Sequence, residues 1–419
     1  MSSQNAQRIK LTFVFTHHIR WVPFELTAKL IDQKRFDIDY VILGMSDPII
    51  DFLKTNNIRV TTTTFDDYKN TPEAIKFVYD YLVKNKTDIV QTHWFAGSLI
   101  GIQAAYYAQV PVRIFHREHP PLQYYNRHPQ SKHKLIWDCA THFIAVTETS
   151  KVGMMQDGIP GDKITVIPTG FNIEDFTAIE PIRISKLKKK YLSSANHAER
   201  TPVIGVAARY VQWKGIEYVI RAFKKVLNEY PNALLILSGS HIDRSSILNQ
   251  LATASTDDIV APQYQDALSI ISCTEDLPAE SFIEIPFEED LFALFKLFDV
   301  FVHTPIDGIQ ETFGQVYVEA MLSKVPSVIT LSGSAIDHAV HRENAWIVDY
   351  QDSDQIAAGI LTLLSDNDLC ERIIQSAFVC ASKRYAMTTL IRTLEDYYIK
   401  SLHSCLCQSG EPLAAFETK

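Results

Sequence analysis

Two carboxylates and two cations in the C-terminal half have the types and spacing to handle a charged, hydroxyl-bearing ligand. Residues 310–321, QETFGQVYVEAM, follow the apolar run DVFVHTP and carry Glu311 and Glu319. Glu311 stands in a strand-to-helix loop, and Thr312, Phe313 and Gly314 lead into a helix whose N-terminus can meet an anion. Glu319 lies two turns further on, between Val318 and Ala320, where a carboxylate can accept two hydrogen bonds from adjacent hydroxyls such as a ribose diol. Upstream, GVAARYVQWKG ends a strand at Arg209 and brings Lys214 just before a helix that starts near Ile216. Two cations and a helix N-terminus at one strand end make an anion site. The plainer alternative makes Arg209 and Lys214 solvated loop residues, Glu311 a complement to the helix dipole and Glu319 an exposed helix residue.

The first half offers a different set. VPVRIFHREH brings His116 and His119 to a strand end beside Arg117 and Glu118, a candidate substrate contact, although a single histidine is more often structural. Arg113, Arg117, Arg127, Lys132 and Lys134 cluster there with His116, His119, His128 and His133, and Glu118 is the one acid close to that strand end. That stretch reads either as a solvated loop or as a face for an anionic substrate or membrane surface. THFIAVTETS and ITVIPTGFN follow as two more strand ends, with Gly170 giving a tight turn. No G-x-G-x-x-G follows a strand candidate and no GxxxxGK[ST] occurs, so dinucleotide and P-loop chemistry lose their support. A metal-binding Asp-x-Asp belongs at a strand end, whereas Asp37-Ile38-Asp39 lies where a strand begins, so no metal is expected.

Short apolar runs alternate with helix-length amphipathic segments, the pattern of βα units feeding a parallel sheet. KLTFVF, DYVILG, NIRVTTT, DIVQTH, VRIFH, HFIAVT and ITVIP read as strands of a first series. TPVIGVAARY, ALLILSGS, SFIEIPF, DVFVHTP, VPSVITL and AWIVDY read as strands of a second, and IRISKLKKKYLSSANHAER reads as the connection between them. The expected organisation is a Rossmann-like domain over residues 1–180, a linker over 181–200, a second Rossmann-like domain over 201–385, a C-terminal helix over 386–402 packing back on the first domain, and a tail over 403–419. Ligands of open parallel sheets bind outside the carboxyl ends of the strands, so the site is expected in the cleft between the domains. Residues 241–281 read as an excursion of helix and loop without an assigned purpose.

A chain of 419 residues exceeds what one core usually holds. Apolar residues make up 46% and charged residues 21%, an ordinary globular composition, and no run approaches the roughly 20 apolar residues of a membrane span. MSSQNAQRIK has no apolar segment of a secretory signal, and six cysteines form no evident framework, so a cytoplasmic, reducing location is expected. A net charge of −9 argues against nucleic acid as the partner.

Taken together, ARYVQWKG, DVFVHTPIDGIQETFGQVYVEAM, AVTETSKVGMMQDGIPGDKITVIPTGFNIEDF and THWFAGSLIGIQAAYYAQVPVRIF resemble glycosyltransferase family 4. These are the retaining GT-B enzymes that use nucleotide-activated sugars. The resemblance implies an α/β fold of GT-B type, two Rossmann-like domains facing each other across a deep cleft. It implies a metal-independent, hexosyltransferase-type enzyme with no cofactor, whose partners are a nucleotide-diphosphate sugar and a glycan or lipid-linked acceptor in cell-surface polysaccharide or lipopolysaccharide biosynthesis. It places Glu311 at the hydroxyls of the transferred sugar, Glu319 at the ribose, Arg209 and Lys214 at the diphosphate, and the backbone of Thr312, Phe313 and Gly314 along the phosphates and sugar. A histidine of VRIFHREH contacts the donor sugar; both His116 and His119 fit, and His119 is favoured because it follows an acid. The departing phosphate itself takes the acceptor proton, with Glu311 as a covalent nucleophile the alternative. FTHHIRWVPF, with His17, His18, Arg20 and Trp21, departs from the family's glycine-rich turn and leaves the acceptor open. Ala208-Arg209 stands where the family has Gly-Arg. Peripheral contact with an anionic inner-membrane face fits the basic stretch before Lys134. A binding protein that has lost catalysis and a UDP-sugar epimerase are the competing readings.

Overall fold

A computed structural model of the chain describes residues 8–16, 22–44, 48–65, 69–120, 129–194, 197–240 and 262–409. The loop holding His17, His18, Arg20 and Trp21, together with Arg127, His128 and most of the 241–281 excursion, lies outside the described residues.

All thirteen apolar runs named above form strands. β1 (Ile9–Thr16), β2 (Phe36–Leu43), β3 (Arg59–Thr63), β4 (Ile89–His93), β5 (Val112–Arg117), β6 (His142–Ala145) and β7 (Ile164–Val166) make one sheet in the order β3-β2-β1-β4-β5-β6-β7. β8 (Val203–Ala207), β9 (Leu234–Ser240), β10 (Phe282–Pro286), β11 (Val300–His303), β12 (Ser327–Ile329) and β13 (Trp346–Ile347) make the other, in the order β10-β9-β8-β11-β12-β13. Every pairing is parallel. Such strands are covered on both faces, which explains why β4, β8 and β11 are buried at every position. The strand order reverses between β1 and β4 in one sheet and between β8 and β11 in the other. In doubly wound sheets a ligand crevice opens beyond the carboxyl ends of the strands at such a reversal.

By backbone contacts the chain divides into residues 1–172 with 385–419, and residues 173–384. The stretch read as a linker is not a free connection. Pro181–Tyr191 is a helix, started by Pro181 at its first position and ended on Lys188, Lys189 and Lys190, whose charges suit a helix C-terminus. Leu187 is buried against Phe295 and Leu294 in the second unit's core. Arg183 donates through Nε to Asp290 at 2.9 Å, and Lys190 donates to Glu288 at 2.9 Å. One buried leucine among basic residues left no apolar periodicity to read.

The final helix, Met387–Ser409, runs seven residues into the stretch expected as a tail, and belongs to the first unit. Its Met387, Leu390, Leu394 and Tyr398 are buried in one cluster with Ile9, Phe36 and Ile114. Tyr398 donates to Gln91 Oε1 at 2.7 Å, and Glu395 accepts from the Asp32 backbone N–H at 2.7 Å. The chain leaves and rejoins the first unit at neighbouring points: Phe171 N–H donates to the Tyr385 carbonyl at 2.8 Å and Met387 N–H to the Phe171 carbonyl at 2.9 Å. Among the described residues no helix is long and apolar enough to cross a membrane.

Candidate functional site

The strand-order reversal of the second unit is where the sequence-derived residues meet. β8 ends at Ala207, and the chain passes through Arg209 into a short turn, Gln212–Lys214. β11 ends at His303, and its loop runs through Glu311 to the helix Gln315–Leu322. The two loops touch, since the Ile306 N–H donates to the Trp213 carbonyl at 3.0 Å. Gly215 makes that approach possible: its φ is +67°, and a Cβ there would lie 2.1 Å from the Thr304 carbonyl oxygen.

Lys214 and Glu311 form a buried ion pair, with Lys214 Nζ donating to Glu311 Oε2. His303 Nε2 lies 3.0 Å from the same oxygen. Burial alone would raise the Glu311 carboxyl, but the Lys214 charge and the His303 hydrogen bond win and hold it down to about 2. Burial lowers Lys214, with Glu311 acting in the opposite sense and Arg209 adding a smaller repulsion. Burial and the nearby Lys214 charge push His303 down to about 4, so the imidazole is neutral at pH 7. The neutral ring donates from Nε2 to the carboxylate, and its face meets the Tyr317 ring edge-on at 4.7 Å.

Glu311 is thus positioned, with both of these bonds on Oε2. Gly314, at φ +73°, packs beside it: a Cβ there would come within 2.6 Å of the Tyr317 ring and 3.0 Å of Glu311 Cγ. Phe313 is buried and its carbonyl accepts from the Ser334 N–H at 2.7 Å, while Thr312 is half-buried. Arg209 is exposed at the end of β8. Lys214 and Glu319 are not solvated residues, because both are buried. Glu319 sits in the first two turns of its helix with Oε2 buried and without a hydrogen-bond partner, and burial raises its carboxyl to about 7. A desolvated carboxyl with an open oxygen is costly unless something bound supplies donors.

Sequence reasoning missed His303. The signal was there, since it is the last residue of DVFVH and the chain returns to it after eight residues, but histidine at the end of an apolar strand carries no spacing signature.

The family described as Glycosyltransferase Family 4 matches residues 25–175, and that described as Glycosyl transferases group 1 matches residues 188–378. The chain belongs to glycosyltransferase family 4. Among its relatives, the capsular polysaccharide biosynthesis glycosyltransferase CapM of Staphylococcus aureus is 26% identical over 343 residues, 80% of this chain and 81% of CapM. A GDP-mannose-dependent monoacylated alpha-(1-6)-phosphatidylinositol monomannoside mannosyltransferase of Corynebacterium glutamicum is 27% identical over 204 residues, 48% of this chain and 46% of that enzyme. The crystal structure of Anabaena HepE in complex with UDP and glucose superposes with a TM-score of 0.72 at 20% identity, covering 93% of this chain and 99% of HepE. The fold is GT-B, each unit a Rossmann-like parallel sheet with helices.

In the first unit of this family 4 glycosyltransferase, the two candidate histidines occupy different surroundings. His119 has its ring beside Phe115 and His133, with Nδ1 2.9 Å from the Pro120 carbonyl oxygen. His116 faces His93 instead, ring centroids 4.5 Å apart, and burial pushes both imidazoles down to about 3. Of the basic residues expected to form a face around them, Arg113 and Arg117 turn inward, while Lys134 stays exposed. Arg117 is fully buried, pairs with Asp157 at 2.6 Å and donates to the His119 and Pro120 carbonyls, so it fixes the turn that carries His119. Arg113 donates to the Cys139 and Val110 carbonyls, His133 is buried, and Lys134 pairs with Asp138 at 2.8 Å. For Arg113 and Arg117, charge in sequence became internal hydrogen bonding in the fold. Asp37 and Asp39 both lie near Arg59, at 3.0 and 3.4 Å, an arrangement of ion pairs at the start of β2.

Proposed function

We propose that the chain transfers a hexose from a UDP- or GDP-sugar to a hydroxyl of a glycan or lipid-linked acceptor, with retention of anomeric configuration. The observation that carries this reading is the buried Lys214–Glu311–His303 group at the strand-order reversal, with the unsatisfied Glu319 carboxyl on the helix that follows. Arg209 and the N–H donors left at the N-terminus of Gln315–Leu322 add to Lys214 as positive groups for a diphosphate. The ammonium has three donors, so Lys214 can hold Glu311 and still reach a phosphate oxygen. Charge developing on the departing diphosphate is then met by protein groups, and the transfer needs no divalent ion there. Glu311, held ionised, lies at the sugar hydroxyls; Glu319 lies at the ribose; His119 is the first-unit contact to the sugar, with His116 the second candidate. The departing phosphate takes the acceptor proton as the acceptor oxygen attacks on the same face.

UDP and glucose are present in the HepE structure, GDP-mannose is named for the Corynebacterium relative and capsular polysaccharide for CapM, which supports a nucleotide sugar as donor and a surface glycan or its lipid-linked precursor as product. Thermal-shift screening against nucleotides and nucleotide sugars tests the donor. UDP or GDP, and the matching sugar nucleotide, should raise the melting temperature in proportion to ln(1 + [L]/Kd), and AMP should not. Chromatography of the nucleotide products then separates a transferase, which releases nucleoside diphosphate, from an epimerase, which returns an altered nucleotide sugar. Magnesium or manganese added to metal-stripped enzyme should leave turnover unchanged. No stabilisation by any nucleoside diphosphate removes the donor assignment. Contact with an anionic membrane rests on Lys132 and Lys134 and is tested by retention on phosphatidylserine vesicles at low salt.

A further inference from the structure

The first unit contains a second cluster of buried polar groups that the transfer chemistry does not use as a set. His93 is the last residue of β4; His116 pairs with it across the ladder on β5; Glu118 follows β5 directly. Parallel neighbours place His93 and His116 side by side, which is a consequence of register rather than of sequence spacing. One ligand atom from each of the three side chains lies within 4.8 Å of the others. His93 Nδ1 is 3.2 Å from Glu118 Oε1. His116 Nε2 and Glu118 Oε2 are buried without a hydrogen-bond partner, while His116 Nδ1 lies 3.4 Å from the Gln91 amide nitrogen.

These groups border a cavity of about 50 Å³ whose other walls are mostly apolar, among them Phe13, Phe24 and Leu394, with Thr27 and Thr169 as polar exceptions. That volume admits an ion with a water, and an apolar rim keeps bulk solvent away. Gln91 completes the surroundings: its amide nitrogen is 2.9 Å from His93 Nε2, and its oxygen accepts from Tyr398. As placed, that NH2 donates to Nε2; turning the Gln91 amide over would set its oxygen to accept from the Nε2–H of a His93 that ligates through Nδ1, the outer-shell contact that orients a ligating imidazole.

We propose that the first unit binds one zinc-class divalent cation through His93, His116 and Glu118. Two imidazoles and one carboxylate suit a borderline cation with a solvent molecule in the fourth position, whereas magnesium and calcium prefer all-oxygen sets. The ion ties the carboxyl ends of β4 and β5 together and fixes the turn from Glu118 to His119. It is separate from donor charge neutralisation, which is assigned to residues of the second unit.

The test uses tag-free, full-length protein, stripped with a chelator and titrated with zinc chloride by calorimetry and with cobalt chloride by visible absorption. One equivalent of zinc should bind and raise the melting temperature, cobalt should give the intense visible bands of a four- or five-coordinate site, and magnesium should do neither. Glu118→Gln, close in shape and free of charge, should weaken zinc by about 100-fold or more, beyond the 10- to 100-fold typical of outer-shell changes. His93→Gln should do the same. Stabilisation of both variants by the same nucleotide as wild type shows that they are folded and that the donor reading stands apart. Absence of stoichiometric zinc binding by wild type overturns the proposal, and so does unchanged affinity in both variants, which would place any bound zinc elsewhere.

Discussion

Replacing Glu319 by Gln should make the protein more stable at neutral and alkaline pH while weakening its hold on the ribose. In the fold this carboxyl titrates at about 7, raised by burial from 4.5. A group whose folded value lies above its unfolded value favours folding in its protonated state, so its contribution is intact below pH 4.5 and is lost as pH rises through 7. The interval from 4.5 to about 7, at 1.36 kcal/mol per pH unit, amounts to about 3 kcal/mol. Glutamine has nearly the same shape and never ionises. Urea unfolding at pH 4.5 should therefore give similar stabilities for wild type and Glu319→Gln, and at pH 8 the variant should be more stable by roughly 2 to 3 kcal/mol. Unfolding can be followed through Trp213 and Trp346 of the second unit. UDP or GDP should bind wild type more tightly than the 2′-deoxy nucleotide, and the variant should discriminate less, since an amide oxygen cannot match a carboxylate as acceptor for a diol. Coincident unfolding curves for the two proteins at both pH values would refute the buried, unsatisfied carboxyl on which this reasoning stands.

Lys214→Ala should cost about 3 to 4 kcal/mol of transition-state stabilisation, or roughly 100-fold or more in turnover, measured as release of nucleoside diphosphate. The same substitution leaves the Glu311 carboxylate buried without its cation, so stability should fall by about 3 to 5 kcal/mol at pH 7 in urea unfolding. Glu311 titrates at about 2 in the fold and 4.5 unfolded, so its contribution to stability is present above pH 4.5 and is lost as pH falls toward 2; in Glu311→Gln that stretch of the acid-unfolding profile should flatten. Gly215→Ala should destabilise by a few kcal/mol at least, because its Cβ meets the Thr304 carbonyl at 2.1 Å and its φ is +67°, and a thermal melt at pH 7 reads the loss.

Most of the fold was legible because central parallel strands, buried on both faces, must be continuous apolar runs, while the half-buried β3, RVTTT, was legible through its β-branched residues. Helices were less so where few of their residues are buried, as in Pro181–Tyr191 with Leu187 alone. Arg209, Lys214, Glu311 and Glu319 were legible through their positions around strand ends and a helix start. What sequence order conceals is pairing across the sheet. His303 joins Glu311 through a loop that folds back, and His93 meets His116 because β4 and β5 are neighbours in register. Charge was also misleading: Arg117 looks like part of a basic surface, and the fold buries it against Asp157.

The route of the backbone has a consequence for biogenesis. Residues 173–384 form one uninterrupted unit, while the first sheet receives its last helix, Met387–Ser409, only after they have been made. At about 5 to 20 residues per second, the 212 intervening residues (384 − 172) take roughly 10 to 40 s to translate. Through that interval the N-terminal sheet emerges from the ribosome with the bed for Leu390, Leu394 and Tyr398 uncovered, so nascent-chain chaperones have their longest opportunity on the segment synthesised first.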